Sequence, residues 1–211
     1  MEKTERRFEE LGGRVASAWE GLRPTTRRAV ERALQTASGS HGASSAAYDA
    51  RSEMELSRLL EALDERAREA GALEALSAEQ SRELVRVADA CALVLRTGAR
   101  SAEAFAQLLE RALRAKDYAR VDVLADTIAS RLAPGEVCEL ARHEDPAVRA
   151  IAHESLAQKP PGVLVELLGD PVDAEVAREA LVIQADEYDS EEARWIVSTL
   201  ERVEDAEDEG E

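Results

Sequence analysis

"DPAVRAIAHESLA", residues 145–157, decides how this chain is read. Asp145-Pro146 opens the stretch, and Val148, Ile151, Ala152, Ser155 and Leu156 then fall at helical spacing on one face. Proline lacks a backbone donor and presets φ for a first helical turn, so Pro146 suits a helix start. The Asp145 carboxylate is placed to accept from the free N–H groups of that turn. Val148 and Ala152, four apart, should face inward, with the small alanine letting a neighbouring helix come close.

The stretch has a second edition downstream. "APGEVCELARHEDPAVRAIAHESLA" (133–157) aligns with "PPGVLVELLGDPVDAEVAREALVIQ" (160–184). Pro134-Gly135 answers Pro161-Gly162, Glu139-Leu140 answers Glu166-Leu167, Asp145-Pro146 answers Asp170-Pro171, and Val148 and Ala152 answer Val176 and Ala180. The small changes of offset fit a deletion before the Asp-Pro and an insertion after it, where a turn tolerates both. A short helix, an Asp-Pro turn and a longer helix, twice in tandem, is a helical-repeat pattern.

This pattern resembles the HEAT family, in particular its short-period bacterial members, whose recognisable core is Asp-x-x-Val-Arg-x-x-Ala. Asp145, Val148, Arg149 and Ala152 match it as they stand. Asp173, Val176 and Ala180 match in the second unit, where Ala177 replaces the arginine and interrupts any ladder of Asp–Arg pairs. The resemblance is strongest over 133–186. It implies an all-α protein of stacked antiparallel helical hairpins forming a short right-handed solenoid.

The rest of the chain reads as helix too. Aromatic residues make up 3% of it, there are six prolines, and the strand-forming residues never cluster. Phe8, Leu11, Val15, Trp19 and Leu22 form a helical stripe that Gly12-Gly13 should kink. A second helix follows Pro24, with Val30 and Leu34 inward. Residues 38–46, "SGSHGASSA", have the composition of a flexible linker. A helix over about 47–70 should end at Gly71. Ser77 with Gln80 forms a capping-box signature, and Ser101 and Asp117 mark two further starts. A helix over 190–203, opened by Ser190, carries Trp195, Ile196, Leu200 and Val203 on one side, and the acidic 204–211 should be disordered. The expected organisation is an N-terminal hairpin (1–37), the linker (38–46), degenerate hairpins (47–132), HEAT-like repeats with a capping helix (133–203), and the tail (204–211).

Charge narrows the partners. The formal net charge is −17, and its excess lies in the C-terminal third: 4 basic against 12 acidic side chains over 133–188, and 2 against 10 over 189–211. Such a surface repels phosphate backbones, so no nucleic-acid partner is expected. It suits solubility or a partner with a basic segment. The charged start, MEKTERRFEE, has no apolar core of a secretory signal, and no apolar run approaches the length of a membrane span. The expectation is therefore a cytoplasmic protein that does not engage membranes.

No catalytic signature emerges. His41, His143 and His153 share no metal-ligand spacing with one another or with Cys91 and Cys138, so neither a metal nor a cofactor is expected. Phosphate-loop and nucleophile-elbow patterns are missing. The reading is a non-enzymatic adaptor or scaffold that binds a partner protein on an acidic helical-repeat surface. The second helix of each HEAT-like unit should place Val148, Ile151, Ala152, Ser155, Val176, Ala180 and Ile183 in the core and turn Glu154, Glu175 and Glu179 outward. Trp19 and Trp195 stand out among so few aromatics: each either plugs the end of a helix stack or anchors a partner. The family resemblance carries one alternative, an enzyme or enzyme accessory such as a bilin lyase or chaperone; another is a homo-oligomeric assembly component, in which the N-terminal hairpin of one chain packs on another.

Overall fold

The structure, a computed structural model, describes residues 8–36, 48–73 and 76–208. Helix accounts for most of the described residues, and there is no strand among them. The expected linker at 38–46 lies outside the described residues, as does His41. By compactness the chain divides into two units, Met1–Ala99 and Arg100–Glu211.

In the first unit a helical turn over 8–11 leads into α1 (Gly13–Glu20), followed by α2 (Pro24–Thr36), α3 (Ala50–Leu73) and α4 (Ala78–Gly98). The expected interruption falls at Gly12, whose φ of 127° lies where only glycine is comfortable. There the Arg66 Nε donates to the Leu11 carbonyl at 2.9 Å, taking up an acceptor that the break releases. Helix α1 packs on α3, α3 runs against α4, and α2 lies on α4 and α3. Phe8, Leu56, Leu59, Leu60 and Leu63 are fully buried between them. Trp19 belongs to this core. It is 2% exposed and stacks on Phe8, ring centroids 4.0 Å apart, with the Arg27 guanidinium 5.8 Å from its centre. Its indole is therefore spent on internal packing and offers no surface anchor. Ser77 caps α4 by the expected capping box with Gln80. Helix α3 passes the expected stop at Gly71 by two residues; a glycine in the last turn of a helix costs it only about 1 kcal/mol.

The second unit contains α5 (Ala102–Arg114), α6 (Tyr118–Arg131), α7 (Pro134–Ala141), α8 (Pro146–Ala157), α9 (Pro161–Leu167), α10 (Ala174–Asp186) and α11 (Glu191–Asp208). Neighbours in sequence pair as α5 with α6, α7 with α8, α9 with α10 and α10 with α11. Across pairs, α5 packs on α7 and α7 on α9, while α6 packs on α8 and α8 on α10. First helices thus meet first helices, and second helices meet second helices. Small residues in the buried stripes let the helices approach: Ala152, Ala177, Ala180 and Ala185 are buried, as are Val148, Leu156 and Leu181. The pairs are also stitched by polar contacts. Glu136 of α7 accepts from the Ala102 N–H at the start of α5, at 2.6 Å, and so caps a helix of the preceding pair. Lys159 donates its ammonium to the Ala129 carbonyl near the end of α6.

Two local expectations differ from what the unit shows. Asp145 caps α8 through the Ala147 N–H at 2.8 Å, but Asp170-Pro171 opens no helix. Instead the Asp170 carboxylate accepts from the Val172 N–H, and the chain turns through 171–173 before α10 begins. Helix α11 continues through 204–208, beyond the expected end at 203, and only 209–211 of the expected disordered tail lie outside the described residues. Glutamates and aspartates at the end of a helix oppose the dipole, yet the helical run of alanine, valine and glutamate carries through them.

Candidate protein-binding surface

The second helices α8 and α10 lie side by side, and their buried stripes fix which way the rest of each helix faces. Val148, Ala152, Ser155 and Leu156 are buried on α8, and Val176, Ala177, Ala180 and Leu181 on α10. The expected inward residues Ile151 and Ile183 are half-buried, because they flank the stripe instead of lying on its midline. Glu154, Glu175 and Glu179 are all exposed, as the spacing requires.

Two of these carboxylates bridge elements. Glu154 Oε1 accepts from the Tyr188 hydroxyl and from Gln158 Nε2, the latter at 3.1 Å. The Tyr188 hydrogen bond, followed by that from Gln158, holds the Glu154 carboxyl below its ordinary pKa, and the same contact raises that of the Tyr188 phenol. Tyr188 follows α10, so this contact ties the end of α10 to α8. Glu179 Oε2 lies 3.6 Å from His153 Nδ1, a second link from α10 to α8 that becomes an ion pair when the imidazole is protonated. Glu175 stands in the first turn of α10, where a carboxylate favours the helix dipole.

Behind this face, the residues of the repeat motif hold the helices in place. Arg149 Nη1 donates to the carbonyls of His143 and Glu144, both at 2.8 Å, closing the turn that precedes its own helix. Ala177, which replaces that arginine in the second unit, is buried and supplies no such cap. Asp173 makes no cap with its side chain; the carboxylate is taken by Arg142, Nη1 to Oδ1 2.8 Å, while the same nitrogen reaches the Val172 carbonyl at 3.0 Å. Sequence reasoning missed this pair, and it missed Gln184, whose Nε2 donates to the Ala157 and Lys159 carbonyls at the end of α8. An isolated Arg or Gln carries no pattern; the repeat register of 27 residues between Ala157 and Gln184 was the only available signal.

Trp195 of α11 is 66% exposed, whereas its neighbour Ala193 is buried, so the helix turns the indole away from α10. It does not share a side with Ile196 and Leu200, which are half-buried. The plug reading thus fits Trp19, and the exposed reading fits Trp195.

Elsewhere the chemistry is structural. Cys91 and Cys138 are free and buried; burial pushes their thiols up to about 12 and about 11. His143 Nδ1 accepts from the Asp145 N–H at 3.1 Å. No group of three or more His, Cys, Asp or Glu side chains that could hold a metal occurs among the described residues, and none of the described helices is long and apolar enough to cross a membrane. The first unit has a shallow cleft of about 260 Å³ beside Gly12 and Gly13, in which Arg14 is ion-paired with Glu65 and Arg66 with Glu69. A second cluster in that unit, also missed by sequence, centres on Arg23. Its guanidinium meets Asp49 at 2.5 Å, Glu55 at 2.9 Å and Ser52 at 2.8 Å, and Thr26 donates to Glu55 at 2.7 Å. It fastens the start of α2 to the start of α3.

Compared with protein-family models, curated proteins and solved structures, the chain matches no family, no curated protein and no solved structure.

Proposed function

We propose that the second unit is a short HEAT-like solenoid and that the protein is a non-enzymatic adaptor or scaffold, gripping a basic segment of a partner protein on the face of α8 and α10. The reading rests on one observation above all: two adjacent second helices whose buried stripes leave Glu154, Glu175 and Glu179 exposed on a surface short of cations. The packing of first helices on first and second on second supports the solenoid, and the 133–157 and 160–184 correspondence supports the repeat. Charge of this kind accelerates encounter and selects sign, while affinity falls as salt screens it.

The test uses two labelled probes, oligolysine and oligoglutamate of equal length, in fluorescence anisotropy. Oligolysine should bind, more weakly at each higher salt concentration, and oligoglutamate should not. The triple variant Glu154→Lys, Glu175→Lys, Glu179→Lys should keep the helical circular dichroism of the parent, since the Tyr188 and His153 links it removes are solvent-exposed and contribute little to stability, and lose oligolysine. Equal binding of oligolysine by parent and variant would overturn the assignment of this face.

A further inference from the structure

We infer that α11 supplies the apolar anchor of an interaction surface, centred on Trp195, and that its occupant is a cationic amphipathic helix. This deepens the proposed function and rests on it. Three observations carry it. Trp195 is 66% exposed in a chain with only two tryptophans, the other being buried on Phe8. An indole can bury 150–250 Å² against a partner, and tryptophan is the residue type that most often dominates interface energy.

Second, the indole is left clear of the packing of its own hairpin. Helices α10 and α11 form a hairpin closed by the Ser190 N–H on the Gln184 carbonyl and by Arg194 on the Ala185 carbonyl, each 3.0 Å. The buried Ala193 marks the side of α11 that meets α10, and Trp195, two residues further on, points to the opposite side. Among the described helices α11 has its main packing against α10 alone, so its Trp195 side faces no other helix.

Third, the charge around this spot is predominantly negative. Asp186, Glu187, Glu191 and Glu192 are exposed around the turn and along the first turn of α11. The two arginines of α11 are engaged locally, Arg194 by Asp189 at 2.7 Å and Arg202 by the Ser198 carbonyl at 2.9 Å. An apolar ridge laid over Trp195 would therefore be flanked by carboxylates, Glu191 and Glu192 standing one turn before it on α11. A helix with a leucine ridge and lysines or arginines on either side satisfies both, and a cation over the indole adds to the fit. A second copy of this face, presenting the same carboxylates, would be repelled.

The experiment compares two probes on the full chain: oligolysine and a Lys/Leu amphipathic helical peptide of the same charge. The Lys/Leu peptide should bind more tightly and shift the tryptophan emission to the blue as Trp195 is covered, with Trp19 contributing a constant buried signal. Trp195→Ala should weaken the Lys/Leu peptide roughly tenfold or more and abolish the shift, while leaving oligolysine within about twofold. Unchanged Lys/Leu affinity in Trp195→Ala, with oligolysine still bound, overturns the anchor alone. Failure of both probes on the parent removes the acidic-surface reading beneath it. Concentration-dependent dimerisation in sedimentation that Trp195→Ala abolishes would make a second copy the occupant and overturn the proposal as well.

Discussion

Arg142 and Asp173 meet across 31 residues of sequence, Nη1 to Oδ1 2.8 Å, and join the end of α7 to the start of α10. Asp173 is buried and Arg142 about one-third exposed, so the pair sits where solvent screens it only in part. Removing the arginine leaves a carboxylate buried without its counter-ion. Arg142→Ala should therefore destabilise the second unit by about 1–2 kcal/mol, discounted for the exposed side of the guanidinium. The double variant Arg142→Ala, Asp173→Asn should recover part of that loss. Urea unfolding in a double-mutant cycle measures it; strictly additive effects would show that the two residues do not interact.

Leu140 is buried on α7, the helix that contacts α5, α8 and α9. A cavity there loosens several neighbours at once, because each helix pair buries its apolar surface only against the adjoining pairs. Leu140→Ala should cost about 2–5 kcal/mol, and Leu140→Asp more, since it adds an unpaired charge in an apolar seam. The melting transition of the second unit should fall as one step; a loss confined to α7 in hydrogen exchange would contradict the shared core.

Gly98 ends α4 with its α-carbon against the face of Tyr48, and a Cβ built there would sit 2.6 Å from the ring. No rotamer of the alanine relieves that overlap, so the aromatic ring must move. Gly98→Ala should destabilise the first unit by about 1–3 kcal/mol, despite the general helix preference for alanine. Tyr48→Ala in the same chain should remove the overlap, and thermal melts of the single and double variants would reveal the rescue. A neutral Gly98→Ala would show that the ring is free to shift.

What the sequence revealed depends on whether a residue belongs to a period. The helix starts at Ser77, Ser101, Asp117 and Asp145, and the inward positions Val148, Ala152, Val176 and Ala180, all follow from spacing and capping chemistry, which are local. Sequence reading favours the plug role for Trp195 and leaves Trp19 open, the reverse of the structure, because each sits on an amphipathic helix and only the tertiary partner, Phe8 for one and solvent for the other, decides its burial. Arg23 with Asp49 and Glu55, and Arg142 with Asp173, could not be found: their contacts span 26 to 32 residues and leave no periodic trace. The insertion after Asp170-Pro171 marked a turn before the second helix, which begins at Ala174, but the Asp-Pro pair alone did not distinguish a helix cap from the Asx turn that Asp170 makes.

The Arg23 cluster makes the first unit sensitive to acid. The Arg23 hydrogen bond, helped by the Ser52 N–H and hydroxyl, holds the Asp49 carboxyl far below the ordinary carboxylate range. Burial pushes Glu55 upward, but hydrogen bonds from Thr26 and Arg23 outweigh it and leave the Glu55 carboxyl lowered. A carboxyl whose pKa is depressed by folding contributes stability that is present above its unfolded value and lost as pH falls through the folded one. Both groups therefore act in the same direction, stabilising the join of α2 and α3 from neutral pH down to about pH 4 and releasing it below. Arg23→Met keeps the aliphatic reach and removes the counter-ion. It should lower stability at pH 7 and flatten the decline between about pH 4 and pH 2, since the carboxyls would then titrate near their unfolded values. Urea midpoints of parent and variant across this range provide the measurement. A variant as acid-sensitive as the parent would place the acid response of the unit elsewhere than in Asp49 and Glu55.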